Sequence, residues 1–292
     1  MAEYKISDLE TLTGIKAHTI RIWEKRYGLI SPDRTETKIR MYSDQELVQL
    51  LNIALLNKHG YKISKIANMS SSTIGEHVQK LESNDDEDVS MERLILSMVE
   101  IDESLFSKTL NSLIDKKGLE KTFTETIIHF LDRIGIMWQV GSITPAQEHF
   151  MSNLIRQKVI SAIDALSGEK ASNQSVLLYL PEHEWHELSL LFYQFVLRKR
   201  GVKTYYLGQS VPYDSIISCY HQLKPDLLVT SWLTSVDPTF MVQYFKNLKK
   251  DLDNAPILVG GFQMNKNREL IGDLVSEIKT IEDLIKGVSH LK

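Results

Sequence analysis

The segment His18–Leu29, HTIRIWEKRYGL, decides how the first part of the chain folds. Within it Ile20, Trp23 and Tyr27 recur at helical spacing, which predicts a helix over Lys16–Tyr27 with one apolar face. Its basic residues are free to face outward, since Arg21 falls on the face opposite the core side of Trp23. The DNA major groove is wide enough to admit an α-helix, and a basic outer face suits its negative charge.

The sequence on either side of this helix completes a DNA-binding pattern. A shorter helix precedes it, with Leu9 and Leu12 on one face, and Gly14 separates the two helices. Gly28 stands where the second helix is expected to end. The polar and basic segment 30–41 then predicts a loop or β-wing. Two helices joined by a turn and followed by a basic wing are typical of winged helix-turn-helix domains.

Charge is distributed in agreement with this pattern. Residues 1–80 contain 12 Lys and Arg against 9 Asp and Glu, whereas residues 81–292 contain 22 against 29. A basic head on an acidic chain indicates a polyanion-binding module joined to something else. Arginine can pair with guanine edges, and the other polar side chains can contact phosphate or sugar. The candidate DNA-binding residues are His18, Thr19, Arg21, Arg26, Lys38, Arg40 and Tyr42.

The order of residues in this head resembles a known family. The segments Tyr4–Ser7, Leu12–Ile15, His18–Leu29 and Arg40–Ser43 closely resemble the MerR family of winged-helix regulators, and WEKRYGL resembles its branch with cobalamin-sensing tails. The resemblance covers residues 4–70 and implies a DNA-binding domain over residues 1–82.

Capping boxes predict where two longer helices begin. Ser43 with Glu46 predicts the start of a third helix, which runs to about residue 58 and is followed by a weaker fourth helix near residue 62. Thr144 with Gln147, and Pro145 in the first turn, predicts a helix to about residue 165.

The middle of the chain has no strand signal. It is bounded by two predicted linkers, the acidic run 83–88 and the small, polar run 167–175. Short turns between helices favour antiparallel neighbours, so residues 90–166 are predicted to form a four-helix bundle. Its predicted helices are 91–99, 102–117, 119–140 and 145–165.

The last part of the chain alternates strands with amphipathic segments. Strands are predicted at 176–180, 204–207, 227–231, 257–260 and 278–281. Such alternation implies right-handed crossovers and a parallel sheet, so residues 175–292 are predicted to form an α/β Rossmann-like, flavodoxin-like domain. Sheets of this kind bind ligands at the carboxyl ends of their strands.

The loop after the first of these strands, PEHEWHELS at 181–189, contains two histidines and three glutamates. It is compatible with a zinc hydrolase, although the HExxH spacing is absent, or with nucleotide binding, although no glycine-rich phosphate loop follows the strand. A third interpretation is one imidazole ligand to a cofactor metal, held by a carboxylate at its other nitrogen.

A second resemblance favours the third interpretation. Glu184-x-His186-x-x-Ser189 resembles the [D/E]-x-H-x-x-G motif of cobalamin-binding domains, with serine in place of glycine. Ser231-x-Leu233 and the pair Gly260 and Gly261 match the motifs that follow in those domains. The resemblance implies that His186 is the lower axial ligand of cobalt and that Glu184 orients it. It also implies that Ser231, Leu233, Gly260 and Gly261 line a slot for the nucleotide tail of the cofactor, where glycines permit close approach.

The bundle carries a third partial motif. Trp138, followed nine residues later by Glu148 and His149, resembles the capping motif of light-responsive, cobalamin-binding MerR-type repressors of carotenoid genes. In that family the motif covers the upper face of the cofactor, where the adenosyl group sits. Some members have histidine after the tryptophan, whereas this chain has Gln139.

Composition excludes several other classes. A 42% apolar and 25% charged chain is not disordered as a whole, and one cysteine, Cys219, cannot form a disulfide scaffold or a multi-cysteine metal site. No apolar run approaches the length of a transmembrane helix, and the start does not resemble a signal peptide, so a cytoplasmic protein without membrane contact is expected.

The sequence therefore predicts a multidomain transcriptional regulator, most simply a repressor and not an enzyme. The resemblance implies adenosylcobalamin as cofactor, double-stranded operator DNA as partner, a homo-oligomer (dimer or tetramer) assembled through the bundle and tail, and release by light. Two alternatives stay open: a MerR-type regulator with a degenerate, cofactor-independent tail, and a corrinoid-dependent methyl-transfer protein. The DNA-binding head argues against the second.

Overall fold

A computed structural model of the chain describes residues 3–35, 37–80, 87–139, 143–166 and 173–290. By its internal contacts the chain divides into two compact units, Met1–Leu154 and Ile155–Lys292. The first unit includes the head and most of the bundle, and the second includes the sheet. Most of each predicted linker, 83–86 and 167–172, lies outside the described residues, and the three predicted domain limits stay a prediction.

The head is a small winged helix-turn-helix. Helices α1 (Ile6–Thr13) and α2 (Ala17–Tyr27) end at glycines with left-handed backbones, as the sequence predicts, because glycine adopts positive φ without strain. The wing is an antiparallel sheet in the order β1-β3-β2, with strands Glu3–Tyr4 (β1), Asp33–Arg34 (β2) and Arg40–Ser43 (β3). The apolar faces of α1 and α2 are buried.

Three more helices follow between the wing and the bundle. Helix α3 (Asp44–Lys58) begins at the predicted capping box, where Ser43 and Glu46 exchange hydrogen bonds. The predicted fourth helix is two short ones, α4 (Ile63–Ile66) and α5 (Ser71–Lys80).

The bundle confirms the predicted helices with one refinement. Its helices are α6 (Glu87–Glu100), α7 (Glu103–Thr122), α8 (Ile128–Gln139) and α9 (Pro145–Asp164), and a π-helical turn at Phe123–Ile127 leads into α8. Gly118, at φ 78° and ψ 158°, breaks α7 where the sequence predicts a helix end. The predicted capping box of α9 is formed by Thr144 and Gln147.

The second unit is built on a five-stranded parallel sheet in the order β5-β4-β6-β7-β8. Its strands are β4 (Ser175–Pro181), β5 (Lys203–Val211), β6 (Leu227–Ser231), β7 (Ile257–Gly260) and β8 (Ser276–Glu277). Central strands β4 and β6 are buried on both faces, which explains their unbroken apolar sequences. This strand order is that of the flavodoxin-like fold.

Helices cover the sheet. They are α10 (Leu188–Lys199), α11 (Tyr213–Leu223), α12 (Pro238–Asp251), α13 (Phe262–Lys266), α14 (Arg268–Ile271) and α15 (Ile281–Ser289). The last strand was predicted too late, at 278–281. Thr280 and Asp283 form a capping box that begins α15, so the strand ends at Glu277.

Candidate cofactor and DNA-binding sites

The loops that follow β4 and β6 meet at the point where the strand order reverses. Strand β4 pairs with β5 on one side and with β6 on the other, so the carboxyl ends of β4 and β6 border the crevice at which open α/β sheets bind ligands. Glu184 and His186 lie in the first loop, and Leu233 and Thr234 lie in the second.

Glu184 joins the two loops through five hydrogen bonds. Its Oε1 accepts from His186 Nδ1 at 2.6 Å, from His186 N at 3.0 Å and from Thr234 Oγ1 at 3.1 Å. Its Oε2 accepts from the backbone N–H of Leu233 at 2.8 Å and of Thr234 at 2.7 Å. The carboxylate is 1% exposed, whereas the imidazole of His186 is 63% exposed. A buried anion therefore holds an accessible histidine.

These bonds determine the protonation of the pair. Burial acts to raise the pKa of the Glu184 carboxyl, but the hydrogen bonds from the His186 ring and from the backbone N–H groups outweigh burial and lower the pKa to about 2. An ionised carboxylate only accepts, so Nδ1 of His186 carries the proton that is donated to it. Nε2 is then the nitrogen whose lone pair suits a metal, as in other carboxylate–histidine–metal arrangements.

The remaining residues of the predicted slot lie around this pair. Ser189 Oγ donates to Ser231 Oγ at 3.1 Å, and Ser231 is fully buried. A Cβ on Gly260 would lie 2.4 Å from the hydroxyl of Tyr193, and a Cβ on Gly261, at φ 93°, would lie 2.5 Å from Trp232 O. The glycines are thus required by close approach of protein atoms, a reason that sequence inspection does not reveal.

Apolar side chains are exposed beside the polar centre. Leu233 of the predicted slot is 40% exposed, and Trp185 and Phe262, each adjoining a predicted site residue in the sequence, are 61% and 62% exposed. Exposed aromatic and aliphatic groups bordering a few fixed polar groups are typical of cofactor sites.

Two residues beside His186, Glu187 and Thr234, are held by partners from distant parts of the chain. The carboxylate of Glu187 is buried; it pairs with Arg156 Nε and accepts from Tyr206 OH at 2.7 Å. Thr234 contributes the second-loop bonds described above. Neither has a sequence signal, because their partners lie 19 to 50 residues away.

The bundle motif is partly assembled. His149 Nδ1 pairs with Glu148 Oε2 at 2.8 Å in the first turns of α9, and Trp138 is half exposed in the last turn of α8. Gln139 ends α8. All three predicted cap residues belong to the first unit and are accessible from its surface.

The DNA-binding candidates divide into two groups. His18, Arg21, Arg26 and Lys38 are exposed and Thr19 is half-buried on the outer side of α2 and the wing. Ile22, which sequence analysis did not single out, is 51% exposed on the same helix. These residues are therefore accessible for contact with DNA, and Ile22 adds an apolar side chain among them.

Arg40 and Tyr42 are placed differently from the expectation. Arg40 pairs with Glu24 at 2.9 Å, and Tyr42 is 1% exposed with its hydroxyl unbonded among the described residues. Strand β3 turns this side chain inward, and burial raises its pKa to about 12. Tyr42 therefore packs the head, and its burial argues against the expected contact with DNA.

The zinc-hydrolase interpretation gains no support. Among the described residues, no group of three or more His, Cys, Asp or Glu side chains is arranged to hold a metal ion. None of the helices that the structure describes is long and apolar enough to cross a membrane.

Two family models match the chain. Residues 4–73 match the MerR HTH family regulatory protein, and residues 91–161 match a B12 binding domain. The first covers the head and the second covers the bundle.

Two relatives and one solved structure extend these matches. The HTH-type transcriptional repressor CarH of Myxococcus xanthus is 28% identical over 89% of this chain and 90% of its own. The repressor CarA of the same organism is 25% identical over 96% of this chain and 94% of its own. A monomethylamine corrinoid protein of Methanosarcina barkeri shares the fold, with a TM-score of 0.55 and 12% identity over 68% of this chain and 93% of its own.

The chain therefore combines a MerR-type helix-turn-helix head and a B12-binding bundle with a flavodoxin-like sheet domain. The chain is homologous to CarH and CarA, which agrees with the expectation of a regulator rather than an enzyme.

Proposed function

We propose that this protein is a repressor whose binding to operator DNA is controlled by adenosylcobalamin. The observation that carries the proposal is the Glu184–His186 pair at the switch point of the sheet. A buried carboxylate that fixes Nδ1 and leaves the ring accessible would suit a single imidazole ligand to cobalt. Ser189, Ser231, Leu233, Gly260 and Gly261 would border the nucleotide tail, and the space that a side chain on either glycine would need is already filled by Tyr193 and Trp232.

The residues present fit the cofactor in its main features. His186 is accessible, Trp185 and Phe262 offer apolar surface, and Ser189 keeps a small side chain where the motif has glycine. Adenosylcobalamin supplies a cobalt–carbon bond that light can break. Trp138, Glu148 and His149 would cover the adenosyl side of the cofactor. Some family members have a histidine directly after the tryptophan, and Gln139 stands at that position here.

The DNA partner is inferred from the head. Arg21 is the candidate for base contact, while Arg26 and Lys38 would contact phosphates. Ile22 could meet a thymine methyl group. We infer a cytoplasmic protein, since its proposed partner is operator DNA. We also infer a homo-oligomer, dimer or tetramer, because several heads on one assembly bind an operator more tightly than one head does.

The proposal is tested by loading the protein with cobalamin. Wild-type protein mixed with adenosylcobalamin in the dark and desalted should keep the visible absorption of the cofactor. His186→Ala should lose most of it or show a spectrum without histidine ligation. The matched control is His183→Asn, three residues away in the same loop, because asparagine tolerates the φ of 69° found there.

Two results would reject the proposal. Colourless wild-type protein would favour the cofactor-independent regulator, and equal spectra for wild type and His186→Ala would remove the assigned ligand. Methyl transfer to a partner protein would favour the remaining alternative.

A further inference from the structure

A side chain from the bundle closes the carbonyl end of α1. Arg133 of α8 donates through Nη2 to the backbone oxygen of Thr11 at 3.1 Å and to that of Leu12. The last four carbonyls of a helix lack partners within the helix, and the helix end carries partial negative charge. Helix α1 has no basic residue in its own last turn. Arg133 supplies both the donor and the charge.

The same turn sets the start of the DNA recognition helix. Gly14 donates its N–H to Glu10 O at 3.0 Å, which ends α1. The Glu10 carboxylate accepts from the N–H of Ala17, the first residue of α2, at 3.0 Å and pairs with Lys16 at 2.9 Å. A shift of the carbonyl end of α1 is therefore passed directly to the first turn of α2.

Arg133 belongs to the helix that carries the cap tryptophan. Trp138 is five residues further on, which in an α-helix is about 7.5 Å along the axis and about 140° around it. Ile134 and Met137, between the two, are buried and hold α8 in the bundle. One helix thus presents Trp138 on one side and Arg133 to the head on another.

We propose that Arg133 is a positioning residue through which occupancy of the cobalamin site sets the orientation of α2 on DNA. This inference rests on the proposed function. When a ligand displaces or holds Trp138, α8 moves or is held as a unit, and Arg133 carries that state to α1. Helix α3 also packs on α6, where Lys58 pairs with Glu92, so the head stays attached while α1 responds.

The test compares DNA affinity with and without cofactor in the full-length protein. The probe is a duplex selected from a random pool by the wild-type protein with adenosylcobalamin in the dark. Wild type should bind it at least about tenfold more tightly with cofactor than without, within the range of ordinary allosteric coupling. Arg133→Gln should reduce this ratio below about threefold while keeping the cobalamin spectrum.

The control is Lys121→Gln, which removes one positive charge from an exposed position of the same bundle and should keep the wild-type ratio. Arg133→Met, which keeps the aliphatic stem, is the second variant should the glutamine variant not fold. A structural role alone would weaken both affinities equally and leave the ratio unchanged, which would overturn the inference. A wild-type ratio of one would instead reject cobalamin control itself, and the coupling with it.

Discussion

At the scale of single residues, the proposed cofactor site depends on one buried carboxylate. Glu184 is accessible to solvent over 1% of its side chain and accepts from two loops at once. Removing its charge would leave the N–H groups of Leu233 and Thr234 with weaker acceptors and release the His186 ring. Loss of a supporting group of this kind typically lowers metal affinity by about 10–100-fold.

Glu184→Gln should therefore make the stability of the protein less dependent on acid. The folded-state pKa is about 2, below the ordinary value of 4.5, so the ionised carboxylate stabilises the fold above pH 4.5 and this contribution is lost as the pH falls toward 2. The pKa difference corresponds to up to about 3 kcal/mol at neutral pH. Urea unfolding of wild type and variant between pH 3 and pH 7 measures it.

Glu182→Gln is the control for this prediction, because Glu182 is an exposed carboxylate two residues away. It should change the free energy of unfolding by less than about 0.5 kcal/mol. If Glu184→Gln and wild type lose stability in parallel as the pH falls, the assigned role of the carboxylate is incorrect.

At the scale of elements, glycine has opposite roles at two places in the bundle. Gly118 has φ 78° and ψ 158°, a conformation that only glycine adopts readily, and it ends the first part of α7. Gly135 lies inside the helix α8. A Cβ at either position would meet no atom within 4 Å, so only the backbone distinguishes them.

Alanine at these two positions should change stability in opposite directions. Gly118→Ala should destabilise the protein by about 1–3 kcal/mol, the cost of holding alanine in that conformation. Gly135→Ala should stabilise it by up to about 1 kcal/mol, because alanine favours the helix. Denaturant unfolding followed by circular dichroism measures both. Equal effects of the two changes would mean that α7 is continuous through Gly118.

At the scale of the whole molecule, charge separates the DNA-binding head from the rest of the chain. Residues 1–80 have a net charge of +3 and residues 81–292 a net charge of −7. A single head with so small an excess of positive charge is weakly attracted to the DNA backbone, and this attraction falls as the salt concentration rises. The proposed assembly of several chains on one operator would compensate by raising the effective concentration of heads.

Light should therefore change assembly and DNA affinity together. In the dark, the protein with adenosylcobalamin should elute from gel filtration as an oligomer and bind its selected duplex. After illumination both the size of the assembly and its affinity for DNA should fall, because light removes the adenosyl group. A ligand shifts the equilibrium between the oligomer and the separate chains only if it contacts the two states differently, and loss of this group changes those contacts. Hydroxocobalamin, which lacks the adenosyl group, is the control and should give the illuminated result. Identical elution and affinity in dark and light would exclude the switch.

The sequence alone predicted most of the secondary structure and the two motif segments of the candidate site, one after β4 and one after β6. These features depend on residues within a few positions of one another, so a short stretch of sequence is enough to predict them. They are the helix starts at Ser43 and Thr144, the helix ends at Gly14 and Gly28, and the buried strands. The strand predicted at 278–281 was wrong because two apolar residues outweighed the capping box that begins α15.

Only the tertiary structure decided which distant residues meet. Glu184 reaches Thr234 across 50 positions, Arg133 reaches Thr11 across 122, and Tyr193 fills the space that Gly260 leaves. Tyr42 resembles a DNA contact in the sequence, yet the wing turns it into the core. Periodicity and capping act over one or two turns of chain, whereas these contacts depend on how whole elements pack, and no short stretch of sequence carries that information.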